Sequence, residues 1–128
     1  MAAPRPAPLV NFLVAGAQKG GTTALFDYLT DYGDIALPSE KELHFFDDEG
    51  QDWSHPDYDG YHARFPEVDG RVAGEATPIY IYWPRGLERI RAYNPAMKLI
   101  LTLRDPVARA WSGWRMETRN GVETAPFA

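Results

Sequence analysis

The sequence predicts an α/β domain, a parallel sheet flanked by helices in P-loop-like order, and three observations carry that prediction. A continuous apolar run, Phe12 to Ala15, enters a turn punctuated by Gly16, Gly20 and Gly21 and leaves as a helical pattern at Leu25, Tyr28 and Leu29. Runs without alternation suit strands buried on both faces of a parallel sheet. A second run, Lys98-Leu99-Ile100-Leu101-Thr102-Leu103, is the clearest buried strand in the chain and stops at Arg104-Asp105-Pro106. Arg71 to Glu75 begins a third, shorter strand between them.

Length and composition set the bounds. At 128 residues, with no cysteine and a net charge of -5, the chain holds one compact domain or part of one. The lack of cysteine excludes disulfides, thiolate metal sites and thiol nucleophiles. No stretch approaches the roughly 20 apolar residues of a membrane span. The opening MAAPRPAPLV has neither the cationic start nor the apolar core of a signal peptide. The expectation is a soluble, cytoplasmic protein. Overall acidity argues against a nucleic-acid binder, although isolated basic sites can still hold small anions. Residues 1–10 read as a flexible lead-in, rich in proline and alanine, and 11–128 as the domain.

Taken in order, the first strand, glycine turn and helix would expose an electropositive helix N-terminus around Gly21, Thr22 and Thr23, which is a ready anion site. The nucleotide-triphosphate loop G-x-x-x-x-G-K-[ST] is the natural comparison. Gly16, Gly21 and Thr23 fit that frame, but Thr22 stands where the lysine belongs and Lys19 sits three places earlier. A structural turn with glycines would look similar. Gly33 ends the helix, and Ile35 to Pro38 is briefly extended.

Ser39 to Asp47 then packs an acid, a base, an imidazole and two aromatics into a segment with no clean period. It is either a functional loop or a solvated turn anchored by Phe45 and Phe46. Tyr58, Tyr61 and Phe65 share one helical face and belong to a core. His55, Asp57, Asp59 and His62 match no ligand spacing, so no metal is expected. Gly74 to Tyr80 contains a proline turn that Thr77 could cap. Pro84 opens a helix through Tyr93, with Leu87, Ile90 and Arg91 in amphipathic register. After the last strand, Asp105 is a good N-cap and Pro106 a good first-turn residue, with Val107, Trp111 and Trp114 along one face. A nucleotide triphosphatase would more typically end this strand with an acid for Mg²⁺, whereas this one presents Arg104.

Gln18-Lys19-Gly20-Gly21-Thr22-Thr23 resembles the phosphosulfate loop of the PAPS-dependent sulfotransferases, especially the heparan sulfate branch. Three further elements share the resemblance. Lys41-Glu42-Leu43-His44-Phe45-Phe46 is similar to the family's K-E-x-H-F-F segment, which implies Glu42 as catalytic base with His44 as its alternate. Glu75, Thr77, Pro78 and Tyr80 match E-x-[ST]-P-x-Y, which implies that they border the cleft. Arg104, Asp105, Pro106, Arg109 and Ser112 form R-D-P-x-x-R-x-x-S, which implies that Arg104 and Ser112 grip the 3′-phosphate of PAPS. A surface ion pair of Arg104 with Asp105 or Glu117 is the competing reading.

The resemblance implies sulfuryl transfer from PAPS to a hydroxyl or amine on a small-molecule or glycan acceptor, with Lys19 and the loop amides stabilising the leaving 5′-phosphate. No metal is required, because a sulfuryl group carries less negative charge than a phosphoryl group. The match runs from Asn11 to about Trp114 and corresponds to the N-terminal half of the family's domain, so the sheet should show an uncovered edge through which copies self-associate. Two rivals stand beside this reading: a small-molecule kinase or NTPase of P-loop type, and a non-catalytic nucleotide-binding half-domain.

Overall fold

The computed structural model describes residues 7–127, so Met1 to Pro6 of the expected lead-in lie outside the described residues. Four parallel strands form one sheet in the order β2-β3-β1-β4, with β1 at Phe12–Gly16, β2 at Ile35–Ala36, β3 at Val72–Ala76 and β4 at Lys98–Leu101. Helix α1 (Thr22–Tyr32) follows β1, α2 (Tyr58–His62) and α3 (Gly86–Tyr93) flank β3, and α4 (Pro106–Arg119) follows β4.

β1 is buried along its whole length, as its unbroken apolar run requires, and its alternate side chains feed two separate cores. Phe12 and Val14 pack with Phe26 of α1 and with Ala76. Leu13 and Ala15 face the opposite way, into an aromatic layer of Phe46, Tyr58, Tyr61, Phe65, Tyr80 and Tyr93. Within that layer Phe45 stacks on Tyr61 at 4.2 Å between ring centroids, and Phe46 meets Tyr80 edge-on at 5.4 Å. Gly33 closes α1 in the left-handed conformation, and the Asp105 carboxylate caps α4 by accepting from the Ala108 N–H at 2.9 Å, both as expected.

Three expectations change. The Lys98–Leu103 run ends as a strand at Leu101, and every residue of β4 is exposed rather than buried. Its apolar composition is suited to a central position, yet among the described residues nothing covers its outer side, because it forms the sheet edge beside β1. The helix expected from Pro84 starts at Gly86, after Arg85 in a left-handed turn, and its buried face carries Arg89, Ile90 and Tyr93, with Leu87 exposed. Arg89 can be buried because its guanidinium chelates Glu49 at 2.8 and 3.0 Å and lies 4.4 Å over the Trp53 ring. In α4 no side chain is buried; Trp111, Trp114 and Phe127 cluster with one another instead.

A bare edge carrying Leu99, Ile100 and Leu101 is a template for pairing with another chain. Sedimentation velocity should therefore show mass rising with protein concentration, and Ile100→Lys should suppress the rise. A single 14.4 kDa species at every concentration would show that this edge does not associate.

Candidate functional site

A parallel sheet of this kind holds ligands beyond the carboxyl ends of its strands. There the chain between β1 and α1 wraps a cleft of about 370 Å³, lined by Gln18, Lys19, Gly21, Thr22 and Thr23, by Lys41 and Glu42, and by Arg104. Pro78 and Met116 complete the wall. The loop has this shape for two local reasons. At Gly20 a Cβ would lie 2.3 Å from the carbonyl oxygen of Thr102, so only glycine allows the loop to close against the chain leaving β4. Gly21, the residue before α1, is left-handed at φ 92, where glycine costs least. No side chain caps α1, which leaves its first N–H groups for an anion.

Three cations converge on this cleft. Lys19 stands at the loop crown with φ 63. Lys41 donates from Nζ to Thr22 Oγ1 at 3.1 Å, bringing the acid segment against the phosphate-type loop. Arg104 donates from Nη1 to the Lys19 carbonyl at 3.2 Å. Among the described residues its guanidinium pairs with no carboxylate, so the alternative pair with Asp105 or Glu117 does not form. Ser112 does not line the cleft; it is half-buried on α4, one helical turn before the lining Met116 and on the same face.

Glu42 reaches the cleft with its carboxylate partly exposed, 3.4 Å from Lys41 Nζ and 3.6 Å from His44 Nε2. The other ring nitrogen of His44 lies 2.8 Å from Asp47 Oδ2. His44 is thus held by a carboxylate, because Asp47 sits three residues on and folds back toward the ring. A base with an orienting carboxylate behind it is a recurrent arrangement in proton transfer. The sequence also puts Lys41 inside the site, beside Glu42, but gives Asp47 no role; the His-x-x-Asp spacing was the available signal.

Glu75, Thr77 and Tyr80 do not border the cleft; all three are fully buried, and only Pro78 of that element reaches it. The Glu75 carboxylate accepts from the Tyr61 and Tyr80 hydroxyls at Oε1 and from Thr77 Oγ1 at Oε2, each at 2.7 Å. Burial pushes its pKa above the usual carboxylate range, and the three hydroxyl donors pull it back. The same burial raises the Tyr61 and Tyr80 phenols well above their ordinary value.

A larger groove of about 950 Å³ runs past Phe12, Leu29, Val72 and Ile100 at the amino ends of the strands. It is an apolar face of the sheet, far from the converging cations. Among the described residues no group of three or more His, Asp or Glu is arranged to hold a metal ion, and no helix is long and apolar enough to cross a membrane.

No protein-family model matches the chain. It is 38% identical over 108 residues to the membrane-associated sulfotransferase kil1 of Dictyostelium discoideum, covering 81% of this chain and 22% of that protein. It is also 38% identical over 107 residues to human heparan sulfate glucosamine 3-O-sulfotransferase 6, covering 80% of this chain and 29% of that one. The crystal structure of a sulfotransferase from Alicyclobacillus acidocaldarius superposes with a TM-score of 0.77 and 32% identity, over 91% of this chain and 53% of its own. The chain therefore spans less than a third of the curated relatives and about half of the solved structure.

Proposed function

This chain is a relative of the sulfotransferases in sequence and in fold, and from that premise we propose that it carries the donor half of a site for sulfuryl transfer from PAPS to a hydroxyl or amine. One observation carries the reading: Lys19, Lys41, Arg104 and the uncapped start of α1 converge on one cleft with a single carboxylate, Glu42, at its edge. That donor set fits a ligand with two separated anionic groups. When bound, PAPS supplies a sulfuryl group on a 5′-phosphate and a second phosphate on the 3′-oxygen.

Lys19 and the amides of Gly21 to Thr23 hold charge at the 5′-phosphate, where it grows as the sulfuryl group departs. Lys41, already against Thr22, adds a second positive charge on the same side. Arg104 holds the 3′-phosphate, with Ser112 behind it on α4. Glu42 accepts the proton of the acceptor hydroxyl or amine as its oxygen or nitrogen bonds to sulfur, and the His44–Asp47 pair keeps an imidazole beside that carboxylate. The acceptor belongs to small molecules or glycans, the latter being the class named for the human relative.

Calorimetry separates this from a kinase or NTPase. The full chain should bind PAP more tightly than ATP with Mg²⁺, and radiolabelled sulfate should pass from PAPS to an acceptor in the active protein. Preference for ATP with Mg²⁺ would favour the P-loop alternative. PAP binding without transfer would leave a nucleotide-binding half-domain.

A further inference from the structure

Glu42 and His44 both adopt left-handed backbone conformations, at φ 65 and 55, which non-glycine residues hold only when their surroundings impose them. The surroundings here are visible. The Glu42 N–H donates to the carbonyl of Ala76 at 2.8 Å, and the Phe45 N–H donates to the Tyr80 hydroxyl at 3.0 Å. The two tethers bracket the strained turn. A third contact, Arg64 Nη1 to the Leu43 carbonyl at 2.9 Å, holds its middle from the solvent side.

The Tyr80 hydroxyl has one proton, and where it goes decides whether the oxygen can accept from Phe45. That proton is committed to Glu75 Oε1 at 2.7 Å, which turns the oxygen lone pairs toward the loop. Glu75 is in turn fixed by Tyr61 and Thr77, and it lies one residue before Ala76, whose carbonyl holds Glu42. One buried carboxylate therefore orients both tethers, one through Tyr80 and one through the backbone of β3. Burying a carboxylate is unfavourable unless it is hydrogen-bonded, and the three hydroxyls that satisfy Glu75 are fixed in direction by it in return.

We propose that Glu75 and Tyr80 are positioning residues that lock the turn presenting Glu42 to the cleft. The proposal rests on Glu42 acting as base, and it predicts that loss of the Tyr80 hydroxyl frees the turn without touching the cations of the cleft. Tyr80→Phe keeps the ring packed against Phe46 and removes only the hydroxyl. Glu75→Gln keeps an amide oxygen for both phenols and serves as the conservative variant.

Amide hydrogen exchange followed by NMR on the full chain reads the turn directly. In Tyr80→Phe the Phe45 amide should exchange about tenfold faster than in wild type, with Glu42 following and the Thr102 amide of the β1–β4 pair unchanged. Glu75→Gln, which leaves the Tyr80 hydroxyl an acceptor, should keep most of the wild-type protection. In the active protein, Tyr80→Phe should lower kcat about tenfold with PAP affinity within about twofold, a split that general destabilisation would not give. Unchanged Phe45 exchange in Tyr80→Phe overturns the proposal. Should that variant not fold, wild type decides: Phe45 and Glu42 amides must be protected like that of Thr102, and exchange as fast as the intervening loop amides overturns it. Failure of Glu42 as base would appear separately, as full activity in Glu42→Gln with the exchange pattern intact.

Discussion

Glu42→Gln is expected to lower the rate of sulfuryl transfer by roughly 10²–10⁴-fold while PAP affinity changes little. The substitution keeps the size and hydrogen-bonding reach of the side chain and removes only its capacity to take a proton. Affinity should hold because the anion-binding groups, Lys19, Lys41, Arg104 and the start of α1, are separate from the carboxylate. A small gain in affinity is even reasonable, since Glu42 sits 3.4 Å from Lys41 Nζ and its charge competes with a bound anion for that ammonium group. Single-turnover rates beside calorimetric PAP affinities, measured in the active protein, make the comparison. If Glu42→Gln keeps full activity, the base is His44, which has Asp47 behind it at 2.8 Å. Glu75 cannot serve as the base, because it is fully buried and its oxygens are occupied by three hydroxyls.

Arg104→Ala should weaken PAP by roughly ten- to a hundredfold and 5′-AMP by at most a few fold. The two ligands differ in the 3′-phosphate alone, and a guanidinium gripping a phosphate is worth about 1.5–3 kcal/mol. The small residual effect on 5′-AMP has a structural source. Arg104 also donates to the Lys19 carbonyl at 3.2 Å, an exposed contact worth about 0.5–1 kcal/mol, so its loss loosens the loop slightly for any ligand. Lys19→Ala should behave differently and weaken both ligands together, because the 5′-phosphate is common to them. Calorimetry on the two variants with the two ligands decides the assignment. If wild-type protein binds PAP no better than 5′-AMP, no group here senses the 3′-phosphate and the sulfotransferase reading loses its most specific support.

The parts of this protein that sequence determined are those whose causes lie within a few residues. Phe12 to Ala15 had to be a strand covered on both faces, and Gly20 and Gly21 had to turn it into α1. Asp105 and Pro106 had to start α4, since caps and first-turn prolines act through their own backbone neighbours. The order of these pieces also placed Lys19, Glu42 and Arg104 on one side, because parallel strands share a carboxyl end.

Tertiary structure alone decided burial, since burial depends on what packs nearby rather than on what a side chain is. Leu99, Ile100 and Leu101 are apolar and exposed because β4 is an edge, whereas Glu75 is charged in type and fully buried because Tyr61 from α2 and Tyr80 from the turn after β3 fold over it with hydroxyl donors. The same long-range meeting set the backbone of Glu42. No local signal places a glutamate in a left-handed turn; the carbonyl of Ala76 and the hydroxyl of Tyr80, more than thirty residues away along the chain, hold it there.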